Sequence, residues 1–223
     1  MAATLYRPDI ARLIIVGEAP PPERFFFYGN SLFLQYLRRV FIGHSSGEGA
    51  PALVPEAARR GVDWFLAYFR ALGGWRTDVC DVPKRANKGG ADDVGDCIEG
   101  FLQRWNAQAR DAEAVLVVSP KKLVASLPDE VRQELTLSVP PPGQWNAHRQ
   151  AFLREMGGLM ERHFGRERLR EIAALVDPDD AVLDFEIARA CADGADETEI
   201  LRLVRGHPRE DKLQAAWADD KDN

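Results

Sequence analysis

Glu18 follows directly on a short apolar run, Ala11 to Gly17 (ARLIIVG). It opens a loop, GEAPPPERFFFYGN, that also carries Phe25, Phe26, Phe27 and Tyr28. A carboxylate so placed can work as a general base or stabilise a developing cation, and aromatic faces beside it can stack on a flat ring. Three later stretches add compatible groups. Asp78 precedes a loop rich in turn residues, PKRANKGG, with Lys84, Arg85 and Lys88. Ser119 is followed by Lys121 and Lys122, and a proline-stiffened loop holds Gln144, Trp145, Asn146, His148 and Arg149. Carboxylates, stacking aromatics and several cations together suit an extruded nucleobase with its phosphates.

These groups can meet only if the elements before them end at one edge. Ala11 to Gly17 has the look of a buried parallel strand, as does Ala114 to Val118 (AVLVV). Arg76 to Val82 and Leu135 to Val139 read as two more strands. Helical patterns lie between and after them: Leu32 to Phe41, Glu56 to Leu72, a helix capped by Asp92 or Asp93 and running to about Ala109, a short helix after Pro120, and Asn146 to Phe164. Strands alternating with helices predict a three-layer α/β/α fold with a four-stranded parallel sheet. Ligands in such folds sit at the carboxyl ends of the strands, where the four loops above begin. Beyond Arg166 the pattern predicts a C-terminal helical extension with helices at about 167–176, 181–192 and 197–205. The division expected is a domain over 1–166 and an acidic helical extension over 167–223.

Composition narrows the possibilities. The 223 residues suffice for one α/β domain and an appendage, and 45% hydrophobic with 29% charged residues describes a globular chain. No apolar run reaches membrane-spanning length, and MAATLYRPDIAR lacks the apolar core of a signal peptide, so a cytoplasmic protein with no membrane partner is expected. The three cysteines (Cys80, Cys97, Cys191) form no CxxC, which argues against a disulfide framework and a four-thiolate zinc site. The four histidines show no metal-ligand spacing, so no metal is expected. Gly43-His44-Ser45-Ser46-Gly47 matches G-x-S-x-G, but a helical pattern precedes it where a nucleophile elbow needs a strand. The net charge of -6 argues against a polyanionic partner until it is divided. Residues 167–223 hold 8 Lys/Arg against 16 Asp/Glu, and the rest 21 against 19, so the body is mildly basic and DNA stays open.

The ordered motifs resemble the uracil-DNA glycosylase superfamily. LIIVGEAPPPERFFFYGNSLF is similar to its first motif, closest to the thermostable iron–sulfur branch, in which a strand runs into Gly-Glu-Ala-Pro. WRTDVCDVPKRAN, AVLVVSPKKLV and LTLSVPPPGQWNAHRQAF stand where the family has its second strand, third strand and last motif, so the similarity spans about residues 11–163. The resemblance implies a DNA glycosylase that hydrolyses the N-glycosidic bond of a flipped-out pyrimidine, in base excision or in defence against modified foreign DNA. Glu18 would be catalytic, stabilising an oxocarbenium-like sugar and orienting water. Phe26 or Phe27 would stack on the base, although three consecutive phenylalanines also suit a core. Trp145 or Gln144 would fill the gap in the duplex, or Trp145 would anchor packing. Lys84, Arg85, Lys88, Asn146 and Arg149 would meet DNA, mainly at phosphates.

Three departures qualify this likeness. Three cysteines cannot complete that branch's four-cysteine set, so no cluster and no other cofactor is expected. Val139-Pro140-Pro141-Pro142 stands in place of His-Pro-Ser-Pro, leaving His148 as the substitute for the histidine that stabilises the departing base. Asp78 replaces the base-reading asparagine. An ionised aspartate only accepts, so it repels uracil O4 and takes a hydrogen bond from the amino group of cytosine, which points to a (modified) cytosine as substrate. Two other functions remain: a catalytically inactive nucleic-acid or nucleotide binder on the same fold, and a nucleoside hydrolase.

Overall fold

The computed structural model describes residues 5–20, 26–29, 31–42, 52–82, 94–143 and 145–208. Its centre is a four-stranded, all-parallel sheet: β1 (Ala11–Gly17), β2 (Gly74–Asp78), β3 (Arg110–Val118) and β4 (Leu135–Ser138), in the order β2-β1-β3-β4. The helices are α1 (Leu32–Ile42), α2 (Val62–Ala71), α3 (Ile98–Ala107), α4 (Asp129–Gln133), α5 (Asn146–Phe164), α6 (Arg166–Ala174), α7 (Pro178–Ala192) and α8 (Glu197–Val204).

The unbroken apolar run of β1 has a simple cause. Successive strand residues point to opposite faces, and both faces are covered. Leu13 and Ile15 enter one core with Val115, Val117, Phe41, Phe65, Tyr68 and Phe152, which places α1, α2 and α5 on that side. Ile14 and Val16 enter the other with Leu116, Val118, Phe101, Trp105 and Val131, which places α3 and α4 opposite. Each such fully buried side chain contributes about 1.5–3 kcal/mol. The layers are thus helix, sheet, helix.

Several boundaries differ from the sequence reading. The helix expected over Glu56 to Leu72 is divided: a 3-10 turn spans Pro55–Ala57, and α2 begins after Gly61, whose extended backbone (ψ -178°) serves as its N-cap. β2 covers Gly74–Asp78 rather than Arg76 to Val82, because its pairing with β1 runs from Leu13↔Gly74 to Gly17↔Asp78 and β1 ends there. β3 starts at Arg110, four residues early, since its first half is polar and partly exposed and gives no apolar pattern. A 3-10 turn (Gly95–Cys97) precedes α3, and the caps expected at Asp92 or Asp93 lie outside the described residues. After Pro120 a 3-10 turn, Lys121–Ser126, comes before α4. α7 begins at Pro178, because the Asp177 side chain accepts from the N–H groups of Asp179 and Asp180 and proline suits the first helical position.

The tail is built into the body. Leu169 and Ala173 of α6 and Ala181 and Ala188 of α7 belong to the same core as Phe65 and Tyr68. Contacts of α7 fall on α2 and on the 3-10 turn Phe26–Tyr28. Ile200 and Val204 of α8 pack with Leu183 and Ile187 of α7, and Leu5 packs against the same cluster. Cys80 and Cys97 correct a second expectation: they are joined by a disulfide, their Cα atoms 5.0 Å apart. The absence of CxxC spacing misled because the partners are brought together by the return of the chain from β2 to α3. Among the described residues no helix is long and apolar enough to cross a membrane.

Candidate functional site

The chain leaves β1 toward β2 across one face of the sheet and leaves β3 toward β4 across the other. The crevice beyond the carboxyl ends of these two central strands is therefore the topological switch point, where open α/β sheets bind ligands. Glu18 is the first residue past β1, with its side chain 22% exposed and Oε2 4.0 Å from Nζ of Lys122 on the turn after β3. Lys121 reaches the other way, its Nζ 3.6 Å from Oε2 of Glu155 on α5. Ser119 closes β3: its N–H donates to the Val16 carbonyl at 2.9 Å, while its buried Oγ has no partner among the described residues.

Asp78 ends the neighbouring strand in register with Gly17, so Glu18 and Asp78 leave adjacent strands about 4.8 Å apart at nearly the same level. Arg76, two residues earlier and hence on the same face, donates from Nη2 to Asp78 Oδ1 at 2.5 Å. The pair lies directly over Gly17, where a Cβ would sit 2.1 Å from Arg76 Nη2 and 2.2 Å from Asp78 Oδ1. A β-carbon there would force the ends of those side chains to move. Burial pushes the Asp78 carboxyl above the usual aspartate range, against the opposing pull of Arg76 and Arg104. Arg104 of α3 donates from Nη2 to the carbonyls of Asp78 (2.9 Å) and Val79 (3.2 Å) and pairs with Asp81. It thereby ties the end of β2 to α3, beside the disulfide.

Along the outer edge of β2 runs a cleft of about 330 Å³, lined by Arg7, Phe26, Phe27, Arg76, Asp78 and Arg104 among others. That volume is at the lower end for small-ligand sites, about 300–1,000 Å³, and suits something the size of a base. Phe26 is 8% exposed and packs edge-on against Phe27 (5.1 Å) and Phe69 (5.5 Å), so it is largely a core residue with one edge in the cleft. Phe27 is half-buried and stacks on Tyr6 with ring centres 5.8 Å apart. A larger, shallower depression of about 680 Å³ lies at the other end of the sheet, between the start of β1, the end of α2 and the start of α7. It is remote from the switch point and from the strand-end groups.

The structure thus joins Phe26, Phe27 and Asp78 in one cleft, while Glu18, at the end of β1 and facing Lys122, is not among the residues that line it. It does not bring His148 there: His148 and Asn146 are exposed on the first turn of α5, and neither lines the cleft. Arg149, half-buried, donates from Nη1 to Tyr36 Oη at 3.4 Å and links α5 to α1. Trp145 is 72% exposed, which removes its reading as a packing anchor. Lys84, Arg85, Lys88 and Gln144 lie outside the described residues. Sequence reasoning passed over Arg76, Arg104 and Arg7. Arg76 was legible in principle, because within WRTD the i, i+2 spacing sets it on the same side as Asp78. Arg104 and Arg7 reach the cleft by tertiary folding, with no local pattern to mark them.

Among the described residues no group of three or more His, Cys, Asp or Glu side chains could hold a metal ion. No protein-family model, curated protein or solved structure matches this chain.

Proposed function

We propose that this protein is a DNA glycosylase of the uracil-DNA glycosylase superfamily that hydrolyses the N-glycosidic bond of an extruded pyrimidine, a cytosine-type base in preference to uracil. The observation that carries the reading is the Gly17↔Asp78 register, which brings Glu18 and Asp78 to the ends of adjacent strands, each free to take a separate task. Glu18, at the mouth of the crevice, stabilises the oxocarbenium-like sugar and orients the attacking water. Asp78, set back in the cleft beside Phe27, accepts a hydrogen bond from the exocyclic amino group of the base. Exposed Trp145, at the N-cap of the helix after β4, is free to enter the space the base vacates, and Asn146 and Arg149 follow it on the same turn. The sequence motifs in matching order, each directly after a strand, support placing these residues in the family's roles.

The experiment is base release from duplexes carrying uracil, cytosine or substituted cytosines, read by alkaline cleavage of the abasic site. Glu18→Gln is expected to lower release by at least 10²-fold, the scale of losing one preorganised electrostatic group, while leaving duplex binding intact. Unchanged turnover in that variant would remove Glu18 from the mechanism. A second reading, a non-catalytic binder on the same fold, is favoured by the position of His148 outside the cleft. Binding without release from any duplex in the panel would establish it.

A further inference from the structure

We propose that Arg76 and Asp78 act as a single donor–acceptor edge that recognises the Watson–Crick edge of a cytosine-type base, and that Arg76 also takes up the negative charge of that base as it leaves. This rests on the glycosylase reading of the cleft and adds a residue that the family motifs do not supply.

The geometry points this way because Arg76 is held rigidly and still has donors to spare. Its Nη1 donates to the Ile15 carbonyl at 3.3 Å and to the Thr77 carbonyl, and its Nη2 to Asp78 Oδ1. The Phe33 ring supports the guanidinium, 5.4 Å from Cζ. A guanidinium has five N–H donors, so one hydrogen on Nη2 and the one on Nε have no acceptor among the described residues. Asp78 Oδ2 likewise receives no hydrogen bond among them. Side-chain exposures of 13% and 18% leave only narrow edges of this pair open, and both residues line the cleft with Phe26 and Phe27. Burial at this level sharpens discrimination, because a mismatched base would leave both groups unpaired in a site largely closed to water.

Cytosine presents an amino donor beside the N3 acceptor. That is the complement of an aspartate oxygen beside a guanidinium N–H. Uracil presents O4, an acceptor, beside N3–H, a donor, and opposes the pair at both positions. During hydrolysis the C1′–N1 bond breaks and its electron pair passes to the base. Water forms the new bond to C1′ and gives its proton to the Glu18 carboxylate, and the released base takes a proton from solvent. The charge on departing cytosine spreads over N1, O2 and N3. A guanidinium hydrogen bond at N3 is therefore stronger to the leaving base than to the bound one, which lowers the barrier rather than tightening substrate binding. Arg104 and Arg7, the other cations on the cleft wall, are engaged with the carbonyls at the end of β2 and with Gln108.

The test uses Arg76→Lys, which keeps the charge and a partner for Asp78 but loses the fork. The preference for cytosine over uracil is expected to fall roughly 10- to 100-fold, the range set by one good bidentate pairing. The rate loss is expected to be greater on cytosine than on 5-fluorocytosine, whose anion needs less help. Equal losses on the two bases with an unchanged cytosine-to-uracil ratio would overturn the proposal. If Arg76→Lys fails to fold by circular dichroism, Asp78→Asn takes its place, since its amide oxygen still accepts from Arg76; preference is then expected to move toward uracil, and an unmoved preference overturns the proposal. Binding of uncleavable 2′-fluoro-deoxycytidine and 2′-fluoro-deoxyuridine duplexes separates the two claims. Cytidine-selective binding that Arg76→Lys abolishes, with no base release by the native protein, would refute the glycosylase reading and the leaving-group role while upholding the recognising edge. Base release with no cytidine selectivity would refute the edge and leave the glycosylase reading standing.

Discussion

At the scale of single residues, Gly17 and Asp78 show how little room the site has. The Arg76–Asp78 pair occupies the space that any β-carbon at position 17 would need. Gly17→Ala is expected to displace the pair, to destabilise the fold by about 1–3 kcal/mol as overpacking does, and to erase base preference. Denaturant melts and competition between cytosine and uracil duplexes check both parts; an alanine variant with native preference would show that the pair can shift without consequence. Tyr6 gives a prediction in pH. Its hydroxyl is buried without a hydrogen-bond partner among the described residues, and burial, with Asp184 and Asp63 nearby, pushes its ionisation well above that of an ordinary tyrosine. A group whose folded pKa is raised contributes stability below its unfolded pKa and loses it as pH rises beyond. Native stability should therefore fall as pH climbs past about 10, where unfolded tyrosine ionises and folded Tyr6 does not. Tyr6→Phe should remove that part of the alkaline loss. At neutral pH it should be neutral or stabilising by about 1 kcal/mol, because it deletes an unsatisfied buried group. Urea melts at pH 7 and above pH 10 decide it; a variant that loses stability at pH 7 would show that the hydroxyl has a partner.

At the scale of elements, the site depends on four strand ends and on what clamps them. The apolar runs of β1 and of the second half of β3 were legible because both faces of a central parallel strand are buried. β2 was read two residues late at its start and four late at its end: its end is set by pairing with β1, a partner 61 residues away in register. α5 was legible at both ends, with loop chemistry before Asn146 and Gly165 (φ 72°) after Phe164. The end of β2 is clamped twice, by Arg104 onto the carbonyls of Asp78 and Val79 and by the Cys80–Cys97 disulfide onto the turn before α3. Neither clamp has a local sequence pattern. Both hold Asp78 in place relative to Gly17, as the proposed base-reading role would require.

At the scale of the whole molecule, the acidic extension is a wall of the core rather than an appendage. α7 crosses the α2 face and supports the turn that presents Phe26 and Phe27; Gly29 at the end of that turn (φ 76°) has Phe185 of α7 close by. The acids at the start of α7, Asp177, Asp180 and Asp184, border the depression at the amino-terminal edge of the sheet with Arg12 and Arg70. They stand away from the carboxyl edge where the strand-end cations gather. Deleting residues 177–223 is thus expected to lower the melting temperature and abolish base release together, because it strips Ala181 and Ala188 from the core and frees the aromatic turn. Calorimetry and the duplex assay read the two effects, and a truncated chain that retains both properties would make the extension dispensable. The net charge of -6 averages a body and a tail whose acids at the start of α7 face the other end of the sheet, so it describes neither surface.

By itself the sequence determined the class of fold, the order of its elements and the strand ends at which chemistry could gather, and it singled out Glu18, Phe26, Phe27 and Asp78 as candidates. These follow from periodicity and local chemistry, which act over a few residues. Only the tertiary structure decided that Asp78 is paired with Arg76 over Gly17, that Arg7 and Arg104 share its cleft, that His148 stands outside it, that Cys80 bonds Cys97, and that the tail completes the core. Each of those joins residues through the packing of separate elements, and no local pattern records which side chains the fold will bring within a few ångströms of each other.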